Sequence, residues 1–107
     1  MDFNEYQEKA RETAVYPIYT RIFYPALGLS GEIGETCNLI KKIYRDDNGQ
    51  ITEERKDKLK SEISDIFWYL ASLCSDLGFK MNDIAEYNIA KLKKRKENNT
   101  LKGSGER

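Results

Sequence analysis

Hydrophobic positions recur along the chain at three- and four-residue intervals and almost nowhere alternate, which predicts helices and no sheet. The first helix is expected from about Asp2 to Ala14, with Asp2 as N-cap and Phe3, Tyr6, Ala10 and Thr13 on one face. Residues 15–25 carry Tyr16-Pro17 and Tyr24-Pro25 and read as a connection or a short irregular helix. A second helix is expected from about Ala26 to Arg45, ending at the break Asp46-Asp47-Asn48-Gly49. The third starts after Thr52, a capping residue followed by Glu53 and Glu54, and stops at Gly78. Its apolar stripe is Leu59, Ile63, Ile66, Phe67, Leu70, Leu73, Cys74 and Leu77. The fourth runs from Asn82 to about Lys96.

The expected architecture is all-α, a bundle of about four helices per chain. Residues 1–98 form its single domain, and residues 99–107, with Gly103-Ser104-Gly105, read as a disordered tail. Phe67, Trp68 and Tyr69 give the third helix bulky apolar groups on several sides. A helix apolar on more than one side is covered on more than one side, so the bundle is expected to be completed by dimerisation.

Composition narrows the chemistry. Among 107 residues there is no histidine, which removes Ser-His-Asp and Cys-His sites, imidazole bases and His-ligated metals. The two cysteines, Cys37 and Cys74, have neither zinc-site nor disulfide-scaffold spacing and suggest a reducing, cytoplasmic setting. Lys and Arg number 18 against 18 Asp and Glu, a balance that argues against a chain wrapped in nucleic acid. No apolar run reaches the roughly 20 residues that span a bilayer, and the N-terminus lacks the order of a signal peptide.

Four acids stand out by their neighbours. Glu32 and Glu35 are three apart on the second helix, and Glu62 and Asp65 repeat the spacing on the third, so each pair shares a face. Surface acids usually have a base three or four positions away, yet here only Glu62 has one, Lys58. If the second and third helices pack antiparallel, the pairs converge. Four carboxylates would then repel unless a divalent cation offset them, and Mg²⁺ or Mn²⁺ prefers oxygen ligands. A solvated polar surface is the competing reading. A di-iron bundle needs Glu-x-x-His motifs, which a chain without histidine cannot supply.

Gly31-Glu32-Ile33-Gly34-Glu35 followed by Ile40-Lys41-Lys42, then Glu62-Ile63-Ser64-Asp65-Ile66-Phe67-Trp68-Tyr69-Leu70-Ala71, resembles the MazG-like nucleotide pyrophosphohydrolases. The signature of that all-α superfamily is E-x-x-E, a spacer and E-x-x-D; here 26 residues separate Glu35 from Glu62. Asn88, Lys91 and Arg95 match the family's later Asn, Lys and Arg. The resemblance implies a helical dimer, in places a dimer of dimers. It also implies Mg²⁺-dependent hydrolysis of nucleoside triphosphates between the α- and β-phosphates. By position, Glu32, Glu35, Glu62 and Asp65 would hold metal, with Glu35 the candidate base. Lys91 and Arg95, with Lys41 or Lys42 and Asn88, would contact substrate, and Tyr69 would stack on a base or bond the sugar. The alternative is a non-catalytic dimerisation or nucleic-acid-binding module that uses the basic fourth helix.

Overall fold

The computed structural model describes residues 1–99 as four α-helices, with no strand among them. The helices are α1 (Phe3–Arg11), α2 (Phe23–Asp46), α3 (Glu53–Leu77) and α4 (Met81–Glu97), and a 3₁₀ turn, Ile18–Thr20, interrupts the connection after α1. From residue 100 on, the expected tail lies outside the described residues.

Local chemistry explains where each helix begins and ends. The Asp2 carboxylate accepts the Glu5 N–H at 2.8 Å and caps α1 as expected. That helix stops at Arg11, short of Ala14. The N–H groups of Glu12, Thr13 and Ala14 reach carbonyls three residues back, tightening the end into a 3₁₀-like turn. α2 starts three residues before Ala26, because Pro25 fits in a first turn where its missing N–H has no helical acceptor to lose.

Just before α2 the backbone is strained. Ile22 has φ 71° and ψ −55°, and the Phe23 N–H reaches back to the Arg21 carbonyl at 2.8 Å. This is a γ-turn of the positive-φ kind, costing about 1–3 kcal/mol for a β-branched residue.

Between α2 and α3 the chain reverses through Asn48 and Gly49, at φ 52° and 78°. The Gly49 N–H closes the end of α2 on the Ile43 carbonyl at 3.1 Å, and Arg55 holds Asp47 at 2.9 Å across the turn. Thr52 caps α3 through the Arg55 N–H, and Gly78 ends it in the left-handed region at φ 79°. α4 begins one residue before Asn82 and borrows its cap. The Gln7 side chain of α1 accepts the Met81 N–H at 2.9 Å while donating to Ser75 Oγ at 3.0 Å and to the Phe79 carbonyl at 2.8 Å.

α2 folds back along α3, whereas α1 bridges α3 and α4. Ala10, Ala71, Cys74 and Met81 form a small core, with Tyr6 and Trp68 packed on it. Trp68 Nε1 donates to Thr13 Oγ1 at 2.7 Å, so the expected face of α1 does meet α3. The stripe of α3 is otherwise poorly covered: Ile63, Phe67 and Leu70 remain 38–45 % exposed. One chain leaves its apolar faces open. No helix among the described residues is long and apolar enough to cross a membrane.

Candidate functional site

Folding α2 onto α3 brings the acidic pairs together. Glu32, Glu35 and Glu62 each offer a carboxylate oxygen, and these oxygens lie within 4.8 Å of one another. Asp65 stands beside this trio without joining it, near enough for its charge to bear on Glu35 and Glu62. Glu32 and Glu62 are half-buried, and each keeps one buried oxygen with no hydrogen-bond partner.

The electrostatics follow from crowding. A hydrogen bond shared with Glu62, then the Glu62 charge itself, pushes the Glu35 carboxyl above the usual carboxylate range. Glu62 is likewise raised, first by its hydrogen bond with Glu32. Like charges this close favour holding a proton or a cation. An all-oxygen donor set with two orphaned buried oxygens fits a hard divalent ion.

The antiparallel register sets what lies on either side. A cleft of about 330 Å³ opens beside Glu35 and Glu62, lined also by Asn38, Lys42, Lys58 and Ser61. Lys42 is therefore at the acids, whereas Lys41 is not among the lining residues. Lys58 enters the cleft from α3 and pairs only loosely with Glu54, at 3.7 Å between exposed side chains. In the sequence it is the one base three or four positions from Glu62. Its position one turn before that acid was the signal.

In the other direction, Tyr69 lies against Gly28. A Cβ at Gly28 would overlap the Tyr69 ring, so the absence of a side chain there lets α2 and the ring meet. Gly31 and Gly34 face nothing within 4 Å, so close approach explains only the first of the three glycines. Gly28 precedes Glu35 by two turns, and Tyr69 follows Glu62 by two, which places this contact on the order of 10 Å along the helix pair. Tyr24 lies beside Tyr69 at 6.4 Å between ring centroids, and Trp68 meets it edge-on at 5.1 Å. Burial first, then Tyr24 and the charges of Glu32 and Asp65, raise the Tyr69 hydroxyl pKa. The order along the pair is lysines, acids, tyrosines.

α4 contributes none of the residues lining the cleft. Asn88 and Lys91 sit on a helix that rests on α1, and the Lys91 ammonium lies over the Tyr87 ring at 5.7 Å. Arg95 is half-buried on the same helix. None of the three lines the cleft beside the acids, and α4 packs on α1.

Comparison with known proteins identifies a family. The MazG nucleotide pyrophosphohydrolase domain matches residues 26–100, which include all four acids and the whole of α3 and α4. The Gene 37 protein of Mycobacterium phage L5 is 38% identical over 112 residues, covering 99% of this chain and 98% of that protein. No solved structure matches.

Proposed function

The chain belongs to the MazG nucleotide pyrophosphohydrolase domain family, and from that premise we propose that it hydrolyses nucleoside triphosphates between the α- and β-phosphates. The products are a nucleoside monophosphate and pyrophosphate, in nucleotide-pool control or house-cleaning. The observation that carries this reading is the convergence of the Glu32, Glu35 and Glu62 oxygens within 4.8 Å.

Glu32, Glu35 and Glu62, with Asp65 alongside, are the residues that would hold Mg²⁺, with Mn²⁺ as a substitute. Bound there, such an ion supplies charge neutralisation on phosphate oxygens and a more acidic water. The protein's own groups do the rest. Glu35, exposed beside the cleft, accepts the proton of the attacking water. Lys42 and Lys58 face the departing pyrophosphate as point charges. Tyr69 and Tyr24, about 10 Å away along the helices, face the nucleoside. The substrate thus lies along the α2–α3 pair, phosphates toward the lysines.

The same reading calls for a second copy. Ile63, Phe67 and Leu70 stay 38–45 % exposed on α3, apolar surface of the kind that a second copy covers. An apolar groove lined by Ile51, Leu59, Ile63 and Phe67 runs along α3. We assign a homodimer, or a tetramer built from dimers, in which Asn88, Lys91 and Arg95 serve the phosphates bound by the other copy.

The test is to incubate the protein with a panel of NTPs and dNTPs, with and without Mg²⁺, and to assay pyrophosphate. Metal-dependent release from at least one nucleotide, abolished in Glu35→Gln, is the expected result. No release from any nucleotide contradicts the proposal. It would leave the non-catalytic dimerisation or nucleic-acid-binding module, which tolerates Glu35→Gln.

A further inference from the structure

Two turns beyond Tyr69 on α3, the Asp76 side chain is wholly buried, and nothing in the hydrolytic chemistry uses it. One of its oxygens accepts the Tyr16 hydroxyl at 2.8 Å and the Ile22 N–H at 2.9 Å. The other is ion-paired with the Arg11 guanidinium at 2.8 Å without a hydrogen bond, and that guanidinium donates instead to Tyr16 at 3.0 Å. A single carboxylate thereby gathers α1, the connection after it and the entry to α2.

We propose that Asp76, acting through Tyr16 and Ile22, is a positioning residue for the aromatic wall that receives the nucleoside. The inference rests on the pyrophosphohydrolase reading and adds what sets the geometry of its nucleoside end. Two observations carry it. Tyr16 has two tasks: its hydroxyl is tied to Asp76, and its ring stacks on Tyr24 at 4.8 Å with 14° between planes. The strained turn at Ile22, whose N–H Asp76 accepts, aims α2 so that Tyr24 comes to 6.4 Å from Tyr69. Tyr24 is still 46 % exposed, so the stack leaves ring surface open to a ligand. A buried charge is a poor way merely to stabilise a fold, since apolar residues of similar volume serve as well or better. Fixing a ring at a defined place is what two converging donors, Tyr16 O–H and Ile22 N–H, and one ion pair with Arg11 do achieve.

The experiment uses the full chain, wild type and the variants Tyr16→Phe and Asp76→Asn. KM and kcat are measured for each NTP and dNTP. Calorimetry gives Kd for inorganic tripolyphosphate with Mn²⁺, and for a triphosphate analogue whose α–β bridge cannot be hydrolysed. Base–aromatic stacking is worth enough that a displaced wall should raise KM about 5- to 30-fold and flatten preference among bases. The value of kcat at saturation and the tripolyphosphate Kd should stay within about twofold, because a change confined to nucleoside binding leaves the chemical step untouched.

A lower melting temperature with unchanged KM and unchanged base preference would show a purely structural role and overturn the proposal. Equal weakening of tripolyphosphate binding would overturn it too, by showing that the damage is not confined to the nucleoside end. Should Asp76→Asn fail to fold, Tyr16→Phe, which keeps the ring and removes only the hydroxyl, carries the test. Wild-type protein that binds the analogue but hydrolyses nothing would sink the hydrolytic reading, while weaker analogue binding by the variants would uphold this one. Failure of wild type to bind the analogue would sink both.

Discussion

Replacing Gly28 by alanine sets two effects of similar size against each other. Alanine is favoured over glycine inside a helix by about 1 kcal/mol. The added Cβ would overlap one atom of the Tyr69 ring and stand 2.5 Å from two more. That ring is hemmed in by Trp68, edge-on at 5.1 Å, and by Tyr24 at 6.4 Å. Forcing a methyl into a packed site costs about 1–3 kcal/mol, so the net effect is a loss of up to about 2 kcal/mol. For a chain of this length 1 kcal/mol is worth about 4 °C, which places Tm about 4–9 °C lower once the net cost exceeds about 1 kcal/mol. Gly31→Ala is the matched control. Its Cβ meets nothing within 4 Å, so the helix preference acts alone and Tm should rise by about 4 °C. The assay is thermal unfolding followed by circular dichroism, at one protein concentration because self-association shifts Tm. Gly28→Ala unfolding as far above wild type as Gly31→Ala does would refute the clash, since Tyr69 would then not be fixed against α2.

Other expectations follow from the same geometry. Gln7→Ala removes the borrowed cap of α4 and two further hydrogen bonds, and should cost about 1–3 kcal/mol in chemical denaturation, with faster amide exchange in the first turn of α4. A loss below about 0.5 kcal/mol would contradict it. The metal-free protein should lose stability as pH rises from about 4.5, the ordinary glutamate value, through the raised values of Glu35 and Glu62. Across that window the native state binds more protons than the unfolded chain. Stabilisation by Mn²⁺, read as a Tm shift, should therefore be larger at pH 7 than at pH 5, and an equal shift at both would count against the acid cluster as the binding site. Ile63→Lys puts a charge in the apolar groove of α3 and should reduce the mass measured by light scattering to that of a monomer; an unchanged oligomer would move the interface elsewhere.

Much of the fold is visible in the chain itself. Thr52, Gly78, Asp2 and the Asp46–Gly49 break act through backbone chemistry that depends on immediate neighbours, and each behaves as its residue type predicts. The starts of α2 and α4 were harder to read, because Pro25 marks a first turn as readily as a boundary and because Gln7, distant in sequence, caps Met81. The acids show the same division. A three-residue spacing reveals that Glu32 and Glu35 share a face, but the register against Glu62 is set by the turn that Arg55 and Asp47 close. That register also puts Lys58 and Asn38 in the cleft and Tyr69 against Gly28. The buried Asp76 has no local mark. Its partners Arg11, Tyr16 and Ile22 are 54 or more residues away in the chain and meet it only through the fold.

If the carboxylates of α2 and α3 form a divalent-metal centre, Mn²⁺ binding followed by electron paramagnetic resonance on wild type, Glu35→Gln and Glu62→Gln will show it. Wild type should bind Mn²⁺, and either substitution should weaken binding by about 100-fold or more, with both variants at least as stable as wild type when metal is absent. Wild-type protein that takes up no Mn²⁺ at millimolar concentration, or variants that bind it as well as wild type, would mean that these acids hold no metal.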